Sequence, residues 1–378
     1  DEITGTAQWG YAISLSGLAV AVLAPLLGAV ADFGGRRKPW IFAFTVLCAM
    51  ATALLWQAKP DVSFVFLALV LVAVGNFGFE MAMVFYNAML PDLTPKDRIG
   101  RMSGWGWGLG YAGGLACLGL ALIALVEAET PVFGLDKDQA EHLRATGPMV
   151  AIWMMVFALP LFLWTPDKPS RGVPAGEAFR KGWASLVGTL KRVREYKDIA
   201  RYLIARMIYT DGLNTLFAFG GIYAAGSFGM DFSELILFGI AINVTAGLGA
   251  AGFAWIDDRI GPKRTIQIAV IGLTVLGGGL GVVEGKTLFW VFALPLGIFV
   301  GPAQAASRSL MAHMAPAEIR TEMFGLYALS GKATAFMGPA LLAWVTVAFG
   351  SQRAGMATIL VFFVVGLVIL SSVPDRRR

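Results

Sequence analysis

The fold of this chain is decided by a short basic loop, Gly28-Ala-Val-Ala-Asp32-Phe-Gly-Gly35-Arg36-Arg37-Lys38. A second copy, 226 positions further along, reads Asp258-Arg-Ile-Gly261-Pro-Lys263-Arg264. Each copy lies between two long apolar segments. Because the same loop occurs at two equivalent places, the sequence predicts a duplicated membrane bundle. Many secondary transporters are built from such repeats and bind their substrate where the repeats meet.

The composition indicates a membrane protein. The chain is 57% hydrophobic and only 15% charged, whereas soluble domains are about 45–50% apolar and about 25% charged. The net charge of +5 does not indicate nucleic acid binding, because the basic residues lie in short loops. The two cysteines, Cys48 and Cys117, lie in apolar runs, and the two histidines are far apart. We therefore expect no metal, no cofactor and no enzyme activity.

Eleven apolar segments are long enough to be spans, since a span needs about 20 mostly apolar residues. They are residues 9–31, 40–57, 64–90, 103–126, 148–164, 202–226, 233–256, 265–283, 287–312, 322–349 and 354–373. Alignment of the two basic loops gives five spans in the first half and six in the second. We expect the parent protein to have twelve spans and this chain to begin just before the second.

Lysine and arginine are concentrated in the loops on one side of these spans. That side includes residues 36–38, 96–101, the connector 165–201, residues 259–264 and Arg376 to Arg378. Since positive loops stay in the cytoplasm, this side is predicted to be cytoplasmic, with the C-terminus, at a bacterial inner membrane.

A second repeated signal supports the duplication. Pro95-Lys-Asp-Arg-Ile-Gly-Arg-Met-Ser-Gly104 matches Pro316-Ala-Glu-Ile-Arg-Thr-Glu-Met-Phe-Gly325 at an offset of 221. The predicted domains are an N-terminal bundle at 1–164, a cytoplasmic connector at 165–201 and a C-terminal bundle at 202–378.

The connector is predicted to contain an amphipathic helix. Its apolar residues recur at helical spacing: Phe179, Trp183, Leu186, Leu190 and Val193. Basic residues occupy the other faces. A helix of this kind lies on the anionic inner leaflet or packs under the bundle, and the sequence leaves both open.

Residues 104–114 form a glycine-rich run that contains the letters of a dinucleotide-binding motif, Gly108-x-Gly110-x-x-Gly113. That motif needs a preceding strand and a soluble βαβ unit, which the apolar surroundings do not offer. Gly106, Gly110 and Gly114 are four residues apart, a spacing that lets membrane helices approach closely. We therefore expect helix packing.

Polar and ionisable residues inside spans are costly in lipid and mark pathways or proton relays. Candidates for the substrate or proton pathway are Asn76, Glu80, Asn87, Asp211, Asn214, Gln304, Tyr327 and Lys332. Lys332 could instead neutralise Asp211. Arg206 and Arg308 lie toward one end of their spans, where a structural ion pair or snorkelling is the alternative to a functional role.

The repeated loop resembles the signature of the major facilitator superfamily, Gly-x-x-x-Asp-x-x-Gly-Arg-Arg/Lys, with Phe33 where a basic residue is usual. The resemblance implies an all-α fold of two pseudo-symmetric six-helix bundles, here without the first helix. It also implies that the loop latches the cytoplasmic side in one conformation. The predicted latch or gate residues are Asp32, Gly35, Arg36, Arg37, Arg206, Asp258, Gly261, Lys263, Arg264 and Arg308.

Longer stretches resemble bacterial relatives of the autophagy-related vacuolar effluxer family, within the major facilitators. They are residues 9–14, 84–92, 211–223 and 301–310. The resemblance implies a monomeric secondary transporter in the lipid bilayer that carries a small polar solute, such as an amino acid or peptide-like metabolite. It would work by alternating access, either proton-linked or facilitative. The alternative is a transporter of lipids or amphiphiles with the same fold.

Overall fold

The computed structural model of the chain describes residues 2–128 and 132–375 and is helical in almost every described segment. The predicted basic residues Arg376 to Arg378 lie outside the described residues. The helices before the middle of the chain are α1 Glu2–Gly34, α2 Lys38–Leu54, α3 Val65–Leu93, α4 Ile99–Ala121, α5 Glu141–Arg144, α6 Thr146–Trp164 and α7 Ala175–Lys191.

The remaining helices follow with short connections. They are α8 Lys197–Phe228, α9 Phe232–Ile260, α10 Pro262–Val282, α11 Lys286–Met314, α12 Arg320–Ser330, α13 Met337–Phe349 and α14 Gln352–Ser371. One turn of π-helix, Leu122–Val126, extends α4. The predicted all-α fold is therefore confirmed.

Nine helices in the described part of the chain are long and apolar enough to cross a membrane. The sequence predicts eleven spans. Two of the predicted spans are not among these nine helices, and each has a physical reason. Helix α8 has 32 residues, but Arg201, Arg206 and Asp211 interrupt its apolar sequence. The predicted span 322–349 is divided between α12 and the shorter apolar helix α13.

The break between α12 and α13 covers residues 331–336, so the prediction of one continuous helix is wrong at this point. Proline lacks the N–H that continues a helix, and its ring clashes with the carbonyl four residues earlier. In a continuous helix, the ring of Pro339 would therefore clash with the carbonyl of Ala335. Tighter three-residue turns replace the α-helical pattern, with Met337 N donating to Thr334 O at 2.7 Å.

The helices group into two compact units that interleave along the sequence. The first unit contains residues 1–89, 116–188 and 316–329. The second contains residues 90–115, 189–315 and 330–378. The start of α12 thus belongs to the same unit as α1, α2 and most of α3, and the start of α4 belongs to the same unit as α8 to α11. The sequential domains predicted at 1–164, 165–201 and 202–378 follow the duplicated sequence rather than these units and stay a prediction.

The connector forms helix α7, which packs within the first unit. A side chain at Gly182 would come within 2.8 Å of the backbone nitrogen of Val30 in α1. Ser185 donates a hydrogen bond of 2.7 Å to the carboxylate of Glu322 in α12. Within α7, Lys181 donates to Glu177 at 2.7 Å, and this hydrogen bond lowers the pKa of the Glu177 carboxyl group. One face of α7 is therefore held by protein, while Phe179 and Trp183 are exposed.

We expect Gly182→Leu to release α7 from α1, because the added side chain would overlap the backbone of Val30. Overpacking costs about 1–3 kcal/mol, so tryptic cleavage within α7 should become about tenfold faster. Gly176→Leu is the matched control, since no atom lies within 4 Å of its added Cβ. Equal cleavage rates in the two variants would show that α7 is not held by this contact.

Candidate functional site

Asp32 lies in the last turn of α1 and binds the beginning of α12. Its Oδ1 accepts a hydrogen bond of 2.6 Å from Thr321 Oγ1, and its Oδ2 accepts one of 2.9 Å from the backbone N–H of Glu322. The first N–H groups of a helix have no partner within the helix, and a carboxylate is favourable at this positive end. Asp32 therefore caps α12 from another helix.

Arg37 fixes this cap on its other side. Its Nε donates to Thr321 Oγ1 at 2.9 Å, and its Nη1 donates to the carbonyl of Ala88 in α3 at 2.9 Å. The guanidinium lies 3.6 Å from Asp32 Oδ1. Because Arg37 is only 2% exposed, this ion pair is buried and joins α1, α3 and α12.

Two glycines allow the chain to approach closely here. Gly35 has φ +87° and lies against the carbonyl oxygen of Pro169, which leaves no room for a side chain. A Cβ at Gly28 would meet the backbone carbonyl of Thr321. The predicted role of Gly35 in a tight turn thus has a direct steric reason.

The second copy of the loop repeats the cap in the second unit. Asp258 Oδ1 accepts a hydrogen bond of 3.2 Å from the backbone N–H of Arg101, in the first turn of α4. Arg101 Nε lies 2.5 Å from Asp258 Oδ2. Asp258 therefore caps α4 as Asp32 caps α12.

The two repeated sequence signals contact each other in both copies. Glu322 and Arg101 donate their backbone N–H groups to Asp32 and Asp258, respectively. Glu322 lies 221 positions after Arg101, which is the offset of the second repeated signal. The two copies of the repeat therefore share a contact as well as two sequence patterns.

The basic residues of the two copies differ in their contacts. Lys263 is the counterpart of Arg37, but its Nζ donates to the carbonyl oxygens of Ser371 and Val373 at the end of α14. Arg264 lies 3.4 Å from Asp375. The prediction places Asp258, Lys263 and Arg264 in one latch. Lys263 instead binds the end of α14, where the helix dipole favours a cation, and Arg264 pairs with Asp375 beyond that helix.

The glycine-rich run packs α4 against α9, but in a different register from the predicted one. A Cβ at Gly100 would lie 2.7 Å from Asp257 Cβ, and one at Gly104 would lie 2.5 Å from the carbonyl of Ala250. Gly108 lies against Gly247 and Ala251. No atom lies within 4 Å of a Cβ at Gly110 or Gly114. The stripe that packs is therefore 100, 104 and 108, and the prediction for Gly110 and Gly114 is wrong.

Gln304 and Arg308 lie one turn apart on α11, and both bind α4. Tyr111 donates to Gln304 Oε1 at 2.8 Å. Arg308 Nε donates to Ser103 Oγ at 2.9 Å, and Nη2 donates to Ser103 O at 2.8 Å. Since Arg308 is only 4% exposed, it does not snorkel. It holds α4 and α11 together.

Two tyrosines of α8 bind the same part of α11. Tyr202 donates to Ser307 O at 2.6 Å, and the hydroxyl groups of Tyr209 and Ser307 lie 2.6 Å apart. Both tyrosines are buried. Spacing in the sequence does not reveal these residues, because an aromatic side chain in a span is usually interpreted as packing.

Residues of α8 also bind the segment around the helix break. Arg206 Nη1 donates to Ser330 Oγ at 2.7 Å. Thr334 lies beside the carboxylate of Asp211, which is 2% exposed. Gly338 lies against the hydroxyl of Thr215, with no room for a side chain. The break at 331–336, which includes Lys332, thus brings polar groups to a buried carboxylate.

Other predicted pathway residues are distributed over both units. Asn76 on α3 donates to Ser16 on α1 at 2.9 Å. On the same helix, Glu80 is half-buried and Asn87 is buried. Tyr327 is buried beside Phe324, with ring centroids 5.8 Å apart. Asn214, one turn after Asp211, is exposed.

Comparison with known protein sequences gives consistent matches over nearly the whole chain. The profile of one family, described as "Vacuole effluxer Atg22 like", matches residues 2–378. The chain is 29% identical to "Uncharacterized MFS-type transporter YxiO" of Bacillus subtilis (strain 168), over 98% of this chain and 85% of that protein. It is 24% identical to "Autophagy-related protein 22" of Coccidioides immitis (strain RS), over 97% of this chain and 72% of that protein.

Solved structures of major facilitator transporters have the same fold. The fucose transporter FucP in its outward conformation aligns with a TM-score of 0.77 at 14% identity, covering 98% of this chain and 90% of that chain. The proton:xylose symporter XylE aligns with a TM-score of 0.74 at 15% identity, covering 99% of this chain and 88% of that chain. At these identities the likeness concerns the fold alone.

Proposed function

The chain belongs to the Atg22-like vacuole effluxer family of major facilitator transporters, and we propose that it is a secondary-active carrier of a small polar solute. It is a multi-pass membrane protein of a transporter family. The proposed mechanism is alternating access, in which the carrier exchanges between two conformations. The proposed substrate is an amino acid or a peptide-like metabolite.

The observation that carries this proposal is the repeated aspartate cap. Asp32 and Arg37 form a buried pair at the beginning of α12, and Asp258 caps α4 in the same way. Removing one partner of a buried pair costs about 3–5 kcal/mol. Contacts of this size favour one conformation strongly, as a conformational latch must. We refer to Asp32, Arg37, Thr321 and the Glu322 N–H as the latch.

The proposed polar substrate is supported by ionisable and amide groups within spans. The pathway candidates are those of the sequence analysis, with Glu80 and Asp211 as acids and Lys332 as a base. A substrate ammonium group would bind an acid, and its carboxylate would bind the base. Glu80 is the proposed proton-coupling residue, because an acid within a span is a natural member of a proton relay.

The proposed location is the inner membrane of a bacterium, with the protein as a monomer. The loop 35–38, the connector and the C-terminus are placed in the cytoplasm, because lysine and arginine concentrate there. The latch is then on the cytoplasmic side.

The test is reconstitution into sealed liposomes with an imposed proton gradient. Labelled amino acids and dipeptides that raise the melting temperature of the purified protein are offered as substrates. Uptake above that of empty liposomes supports the proposal. Movement of labelled phospholipid between leaflets, without solute uptake, would support the lipid alternative instead.

Glu80→Gln is expected to abolish uphill transport driven by a proton gradient and to leave counterflow exchange largely intact. Glutamine keeps the size and hydrogen bonding of the side chain but cannot release a proton. Glu284→Gln is the matched control, because Glu284 is exposed between α10 and α11. If counterflow is lost as well, Glu80 binds substrate or supports the fold; unchanged pH dependence would contradict its role in coupling.

A further inference from the structure

A basic cavity lies where α2 begins and α6 ends. Its volume is about 450 Å³, and it is lined by Arg36, Lys38 and Lys168 together with Asp167, Phe42 and Phe162. These three cations do not include Arg37, which is buried in the latch. The cavity therefore combines three cationic side chains with two aromatic rings outside the latch contacts.

The single acidic side chain lining the cavity is already occupied by N–H donors. Asp167 Oδ1 accepts from the backbone N–H of Arg37 at 3.0 Å, and Oδ2 accepts from that of Lys38 at 3.1 Å. Asp167 thus caps α2, because the first N–H groups of a helix lack internal partners. Its charge is directed to the helix rather than to the cavity cations.

Arg36 is the cation most open to a ligand. It is exposed, and its guanidinium forms no ion pair in the part of the chain that the structure describes. Lys38 Nζ donates to the carbonyl of Phe162 at 3.0 Å and keeps further donors, since an ammonium group has three. An arginine and two lysines around a cavity are suited to the oxygen atoms of a phosphate group.

An apolar surface continues from these cations. The rings of Phe42 and Phe162 meet edge to face, with centroids 5.5 Å apart, and Phe42 is 52% exposed. Leu163 and Trp164, the last residues of α6, are 65% and 78% exposed. Tryptophan is enriched where a span reaches the headgroup level. A ligand that fits both surfaces carries an anionic headgroup and acyl chains.

We propose that this cavity binds the phosphate headgroup of an anionic phospholipid, with its acyl chains along Phe42 and Leu163. Both α2 and α6 are apolar enough to span a membrane, so the cavity opens at their ends, where headgroups lie. Basic pockets between spans are known to bind anionic headgroups. The lipid would bind beside the loop that carries Arg37 and so contact the same turn as the latch.

The test is native mass spectrometry of the purified full chain with dioleoyl phosphatidylglycerol, and with dioleoyl phosphatidylcholine as the neutral lipid. A basic residue near an anionic membrane contributes about 1 kcal/mol, or about fivefold in affinity. We expect Arg36→Gln to weaken phosphatidylglycerol binding about fivefold and Arg36→Gln with Lys168→Gln about 25-fold. Phosphatidylcholine binding should stay unchanged and reports that the variants are folded.

Arg264→Gln is the matched control, because Arg264 lies in the second copy of the loop and is exposed, as Arg36 is. It should leave phosphatidylglycerol binding unchanged. The proposal is overturned if the double variant binds phosphatidylglycerol as the wild type does, or if Arg264→Gln weakens binding equally. Displacement of the lipid by millimolar inorganic phosphate would also overturn it, by showing that the cavity binds free phosphate rather than a phospholipid.

Discussion

Asp32→Ala is expected to reduce the transport rate about 100-fold while substrate affinity changes less than threefold. The substitution removes the cap of α12 and leaves Arg37 buried without this carboxylate. Breaking a buried pair costs about 3–5 kcal/mol, and about 2.7 kcal/mol already shifts an equilibrium 100-fold. In the proposed mechanism, the conformation that the latch closes therefore loses its population. Transport in liposomes and equilibrium binding in detergent measure the two effects separately.

Two further substitutions control this experiment. Asp258→Ala removes the equivalent cap of α4, but its partner Arg101 has a side chain that is 40% exposed, so the effect should be smaller. Asp97→Ala removes an acid whose side chain is 74% exposed and should change nothing. If Asp32→Ala transports normally, the loop serves membrane topology only and has no role as a latch.

Gly249→Leu is expected to eliminate most of the folded protein. A Cβ at Gly249 would overlap the carbonyl oxygen of Ile298, because α9 and α11 approach through glycine at this point. Membrane helices associate largely by such close packing. Since backbone cannot move aside as a side chain does, the cost should exceed the usual overpacking cost of about 1–3 kcal/mol.

Gly252→Leu provides the matched control on the same helix. No atom lies within 4 Å of its added Cβ, so this variant should keep the wild-type melting temperature and a single peak in size-exclusion chromatography. The intermediate Gly249→Ala should fold with a lowered melting temperature. Wild-type behaviour of Gly249→Leu would contradict the close packing of α9 and α11.

The sequence is sufficient to predict the helical class and the aspartate of each helix cap. The repeated loops identify Asp32 and Asp258, and the second repeated signal marks the segments that receive them. The sequence does not show that the two signals bind each other, because Asp32 and Thr321 are 289 positions apart. The second signal recurs at an offset of 221 positions, close to the 226 positions of the loop, and this near-equal offset is the feature from which the contact could have been inferred.

Other features depend on packing that no local pattern encodes. The glycine-rich run contains several stripes with a spacing of four, and only the surface of α9 selects the one with Gly104. The burial of Arg308 likewise depends on Ser103, which lies 205 positions away in the chain. The break after Ser330 could have been predicted from Pro339, but the apolar composition on both sides favours a continuous span.

The latch also imposes an order on biogenesis. The latch brings together Arg37 and Thr321, which are 284 positions apart in the chain. At a synthesis rate of about 5–20 residues per second, roughly 15–60 s pass between their emergence from the ribosome. Throughout that interval Arg37 and Asp32 lack the beginning of α12. The closed latch therefore cannot form while the first part of the chain is being inserted, and its formation belongs to the last stage of folding in the membrane.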